Sequence, residues 1–137
     1  MSVPKRLRKK CKLKAFLDAC DLVEHTLEIT ANPKVFKPEQ SAVTDKVKSA
    51  VFDIARFIWC ANDIKVRDDA ALYAERRRLQ DMAMTCCREL LFLINLSWGV
   101  MHLAEGKAVY WIGQAVDLRE EIAAWRASDA RRYGHLR

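Results

Sequence analysis

Residues 79–94 read LQDMAMTCCRELLFLI, and this stretch decides the fold. Leu79, Met82, Ala83, Cys86, Leu90, Leu93 and Ile94 recur at intervals of three and four, which places them on one face of an α-helix. A strand would need alternation, and no such pattern occurs here or elsewhere in the chain. Leu72 extends the face backwards, and Met101 and Leu103 extend it forwards. Asp68 or Asp69 is suited to cap the start. Glu105-Gly106-Lys107 reads as the stop after Ala104, with Gly106 in the left-handed cap position.

Three further segments carry the same period. Leu13, Phe16, Leu17, Cys20, Val23, Leu27 and Thr30 predict a first helix over about 7–30, stopped by Asn32-Pro33. Val43, Val47, Ala50, Val51, Ile54, Phe57, Ile58, Ala61 and Ile64 predict a second over about 39–64, with Pro38 in its first turn. Val109, Ile112, Ala115, Val116, Ile122, Ala123 and Trp125 predict a fourth over about 108–127, followed by a fraying polar tail from Ser128. The chain has 137 residues with only 4 Gly and 3 Pro, a scarcity of breakers that favours long helices and short turns. The expected architecture is all-α: one domain over 1–137, an antiparallel up-down-up-down four-helix bundle.

Charge is unevenly placed. Residues 1–14 hold seven basic residues and no acid, residues 15–125 are net −4, and residues 126–137 are net +3, within a total of +6. A slightly acidic body with two basic ends points to a polyanionic partner. In the expected topology the start of helix one, the start of helix three and the end of helix four share one end of the bundle. Lys5, Arg6, Arg8, Lys9, Lys10, Lys12, Lys14, Arg76, Arg77, Arg78, Arg131 and Arg132 are therefore the candidate nucleic-acid-binding residues. Their role would be to neutralise phosphates, not to read bases. The plainer reading of segment 1–14 is a solubilising arm.

Helix three is apolar over more than one stripe. Leu91, Phe92, Leu96, Trp98 and Val100 flank its core face, and Tyr110 and Trp111 lie outside the stripe of helix four. A helix that is apolar nearly all round is covered on both sides. Leu91, Phe92, Leu96, Trp98, Tyr110 and Trp111 are thus expected at a subunit interface.

Signatures of chemistry are lacking. His25, His102 and His135 show no metal-ligand spacing with each other or with Cys11, Cys20, Cys60, Cys86 and Cys87. Cys86-Cys87 reads as core, and Glu120-Glu121 as a solvated face. There is no Gly-rich phosphate loop and no paired Glu-x-x-His. The expectation is a non-enzyme without cofactor, metal or small-molecule substrate. An odd cysteine count without Cys-x-x-Cys, and an N-terminus broken by charges, point to the reducing cytoplasm. The longest apolar run, residues 90–94, predicts no membrane span.

The order of short motifs resembles a known group. Thr30-Ala31-Asn32-Pro33-Lys34 and then Phe36 lead into a long second helix. The third helix carries Arg76-x-x-Leu79 and a Leu-rich middle; the fourth carries Ile112-Gly113 and ends in Trp125-Arg126-Ala127-Ser128. Residues 13–128 are similar to the small four-helix proteins that include the accessory variability determinant of diversity-generating retroelements. They are similar also to the related proteins of intervening sequences in large-subunit ribosomal RNA genes. The resemblance implies a homopentameric barrel of four-helix bundles that binds nucleic acid. In the retroelement branch it implies a reverse transcriptase partner, with template RNA copied into mutated cDNA and the accessory protein non-catalytic. The lysine-rich N-terminus departs from the pattern, and with the basic charge it leans toward that branch. The competing readings are a protein–protein adaptor that grips an acidic partner, an intervening-sequence-type protein, and a small enzyme with a site between subunits.

Overall fold

Local signals set where each helix begins and ends. A computed structural model describes residues 13–136, which form four long helices and, among the described residues, no strand. Helix α1 spans Lys14–Thr30, α2 Ser41–Asp63, α3 Ala70–Val100 and α4 Glu105–Tyr133, with short 3-10 turns at Pro38–Gln40 and Gly134–Leu136. After α1, the Asn32 side chain accepts from the Lys34 amide at 3.0 Å and its carbonyl accepts from the Phe36 amide at 2.9 Å. That compact turn drops Phe36 into the core, edge-on to Trp111 with centroids 6.4 Å apart. The Asp69 carboxylate caps α3, accepting from the amides of Ala71 and Leu72.

Three boundaries differ from the sequence expectation. Helix α1 starts at Lys14 after an extended Leu13, so the helix expected over about 7–30 does not run through residue 13. Gly106 is no cap; it lies inside α4, and no glycine has positive φ. The turn after α3 is made instead by His102 at φ 59, between Met101 and Leu103, which are both buried. Those two side chains pull the backbone into the core and end the helix early. Helix α4 also runs past Ala127 to Tyr133. Its last turns are held by buried Asp129 and by Tyr133, whose ring lies 5.7 Å from Tyr73.

Each helix packs on two neighbours: α1 on α2 and α4, and α3 on α2 and α4. A central row of buried positions steps by three and four along each helix. On α2 it is Val47, Val51, Ile54, Ile58 and Ala61, flanked by buried Ala50 and Phe57; on α3 it is Tyr73, Arg76, Gln80, Ala83, Cys87, Leu90, Ile94 and Ser97, flanked by buried Leu79, Cys86 and Leu93. On α4 it is Ala108, Trp111, Ala115, Leu118, Ile122 and, one heptad further on, Asp129. A mean spacing of 3.5 is the seam of a coiled-coil-like core. On α4 expected Ala115 and Ile122 are in this seam, but Ala108, Trp111 and Leu118 take the places expected for Val109, Ile112 and Val116, and Val109 is 55% exposed. On α1 it is Ala15, Ala19, Leu22, Thr26 and Ile29, which leaves expected core residue Leu27 at the surface. Small Ala residues sit where helices approach closely, so the bulkier neighbours mark the rim.

Candidate nucleic-acid interface

The seam is interrupted at one end by charge. Arg76 and Asp129 occupy core positions and are both buried. The guanidinium donates through Nε to Asp129 Oδ2 at 2.6 Å and through Nη2 to Oδ1 at 3.1 Å, a two-pronged ion pair. Gln80 Nε2 donates to the same carboxylate at 2.8 Å. Arg76 Nη1 donates to the Ile64 carbonyl at 3.2 Å, and the guanidinium sits 5.2 Å from the Trp125 ring. This network ties the end of α2, the first turns of α3 and the end of α4 together. It also corrects one expectation: Arg76 is buried and its charge is already paired with Asp129, so it serves the fold and does not stand as a free cation.

The other expected binding residues divide by what they touch. Lys5, Arg6, Arg8, Lys9, Lys10 and Lys12 lie outside the described residues. Lys14 is exposed and pairs with Asp18 at 2.8 Å and with Glu121. Arg78 pairs with Glu75 at 2.7 Å on the surface of α3. Arg77 lies over the Tyr73 ring at 5.4 Å. Arg131 and Arg132 are exposed, Arg132 lying 5.1 Å from the Tyr133 ring. Two further cations, Lys65 and Arg67, stand exposed in the loop between α2 and α3. The sequence already places Arg67 at the basic end of the bundle with Arg76, Arg77 and Arg78; Lys65, isolated between Ile64 and Val66, gives no such signal.

Lys65, Arg67 and Arg132 line one cleft of about 470 Å³, together with Asn62, Ile64, Val66, Asp68, Arg76 and Tyr133. Leu13, where segment 1–12 joins, lies beside the Lys14–Glu121 pair. Glu121 lies midway along α4, about 12 Å before Asp129.

The flank between α1 and α4 has the opposite character. Asp18, Asp21, Asp117 and Glu121 line a groove there with Gln114 and Leu118. Burial pushes the Glu121 carboxyl above the usual range, and the hydrogen bond with Asp18 adds to this against the pull of Lys14. Burial also pushes Asp18 up, but the hydrogen bonds to Glu121 and Lys14 outweigh it and hold Asp18 below its ordinary value. Such a groove repels a polyanion.

Of the expected interface residues, Phe92 and Tyr110 are 65% and 62% exposed, and Leu91, Leu96 and Trp98 are half-buried. Trp111 is a correction: it is fully buried, and its Nε1 donates to Thr26 Oγ1 at 3.0 Å. It is a core anchor. A second apolar surface, with Phe16, Cys20, Val23, Phe52, Ala55 and Trp59, opens between α1 and α2.

Among the described residues, no group of three His, Cys, Asp or Glu is placed to hold a metal ion, and no helix is long and apolar enough to cross a membrane. No family model matches the chain, and neither a curated protein nor a solved structure matches it.

Proposed function

We propose that this chain is a non-catalytic, nucleic-acid-binding accessory subunit that works beside a reverse transcriptase in the mutagenic copying of template RNA into cDNA. In this reading the bundle is antiparallel, up-down-up-down, and assembles in the cytoplasm as a homo-oligomer, a pentameric ring in the form that the resemblance implies. The observation that carries the binding half is the gathering of exposed Lys65, Arg67 and Arg132 in one cleft. The seven basic residues of 1–14 add to the cationic charge that a polyanion would meet. Exposed Phe92 and Tyr110 support self-association, since a monomer leaves them in water. The acidic flank directs a polyanion to the end of the bundle. Contacts of Lys and Arg with phosphate position a strand without reading its sequence, which suits a partner that must accept a varying template.

The test is primer extension by the partner reverse transcriptase on a structured template RNA, with wild-type or variant protein added. The variant replaces Arg77, Arg131 and Arg132 by Glu and leaves buried Arg76 intact. Synthesis stimulated by the wild type and not by the variant is the expected result. Equal stimulation by both, or none by either, overturns the proposal.

A further inference from the structure

We infer that the cleft between the α2–α3 loop and the end of α4 is a phosphate site, with Lys65, Arg67 and Arg132 as its ligands. This deepens the proposed function and rests on it for the source of the phosphate. Three observations converge. First, three cations share one cleft and, among the described residues, no carboxylate pairs with any of them, while Arg76 in the same lining is ion-paired. Asp68 is the one free carboxylate in the lining, because Asp129 behind it is spent on Arg76 and Gln80.

Second, Arg67 holds φ at 52, a left-handed backbone that a side chain with Cβ adopts at a cost. The loop around it is pinned. Val66 is 1% exposed, the Asp69 amide donates to the Val66 carbonyl at 3.1 Å, and the Ile64 carbonyl accepts from Arg76. Glycine would fit this turn without strain, and an exposed Arg with no partner stands there instead. The turn buries Val66, as the similar turn at His102 buries Met101 and Leu103, but that burial needs no guanidinium at position 67, where glycine would fit without strain.

Third, the buried Arg76–Asp129 pair locks the two walls at fixed separation. One wall carries Arg67 and Lys65, the other Arg132 and the Tyr133 ring. A phosphate has enough oxygens to take a two-pronged Arg contact from one wall and a point charge from the other. Backbone phosphodiesters and 5′-terminal monophosphates share this chemistry.

The test compares wild-type protein with Arg67→Gly and, separately, Arg132→Ala. Affinities for one oligonucleotide, carrying either a 5′-phosphate or a 5′-hydroxyl, are measured by fluorescence anisotropy at several salt concentrations. Stability is measured alongside by urea unfolding. Arg67→Gly is expected to unfold at higher urea and to bind about two- to fivefold more weakly, with the log–log salt slope shallower by about 0.7 to 0.9. Stability and binding moving in opposite directions is an outcome that a purely structural Arg67 does not give. If only the 5′-phosphorylated strand is affected, the site takes a chain end; if both strands are, it takes the backbone. If the wild type binds nucleic acid and both variants match it in affinity and slope, no phosphate sits in the cleft. If the wild type does not bind nucleic acid, the proposed function fails. Inorganic pyrophosphate then tests the cleft alone: binding lost in Arg67→Gly keeps the site, and no binding by wild type removes it.

Discussion

Replacing Asp129 by Ala strips three hydrogen bonds from a buried carboxylate at once: 2.6 and 3.1 Å from Arg76 and 2.8 Å from Gln80. The Arg76 guanidinium then stays in the core with only the Ile64 carbonyl and the face of Trp125 for company. Breaking a buried pair from one side costs about 3–5 kcal/mol. For a chain of this length each kcal/mol lowers the melting midpoint by about 3–4 °C, so a fall of about 10–20 °C is expected. The pair is not a net gain over apolar packing, because two charges had to leave water. The double variant Arg76→Met with Asp129→Leu is therefore expected near wild type in stability. Urea unfolding of the wild type, Asp129→Ala, Arg76→Met and the pair variant gives the comparison. Asp129→Ala within about 1 kcal/mol of wild type, or an apolar pair as damaged as the singles added together, would refute the reasoning.

Trp111→Ala should cost about 3–5 kcal/mol, because it opens a cavity and strands Thr26; a loss under about 1 kcal/mol in chemical unfolding would return Trp111 to the surface. Phe92→Ser should leave stability within about 0.5 kcal/mol while shifting the assembly to smaller species, and light scattering identical to wild type would count against Phe92 as a contact between copies. Burial pushes the Cys86 thiol up to about 11 and Cys87 to about 12. Both should resist a disulfide reagent near neutral pH until urea is added, and fast native labelling at these two positions would contradict that. Glu121 has its carboxyl raised, so the folded state holds that proton more tightly, a contribution present at acid pH and lost as pH rises through the raised value. Glu121→Gln offers Asp18 a hydrogen bond without titrating, so it should gain stability on wild type between about pH 4 and pH 8, and a constant difference in urea unfolding rules this out.

Helix number and most turns were legible in the sequence because they depend on neighbours a few residues apart. Asn32-Pro33 stops α1 and Asp69 caps α3 through contacts that need no tertiary partner. The facing of α1 and α4 was less legible. Their seams run through Ala15, Ala19, Ala108 and Ala115, small residues that hydropathy ranks below flanking Phe16, Val109 and Ile112. Polar seam residues were hidden for a related reason. Thr26, Arg76, Gln80 and Asp129 read as surface until the partner across the bundle is known. A signal did exist: Arg76 precedes Gln80 and Ala83 on the three–four register of α3, and Asp129 follows Ile122 by one heptad on α4. In the candidate site, the basic runs were visible, but which cations were already paired was not. Arg78 can take Glu75 one turn back on its own helix, a local pair the sequence allows, but only the fold brings Asp129 to Arg76.

If unpaired cations gathered at one end of this protein grip phosphates, the salt dependence of its binding to two single-stranded RNAs of unrelated sequence, measured on the full chain, shows it most directly. Log K should fall linearly with log salt, with the same slope on both RNAs. Three or more phosphate contacts at about −0.7 each give a slope steeper than about −2. Binding that is absent, that is unchanged by salt, or that holds on one RNA and fails on the other contradicts it.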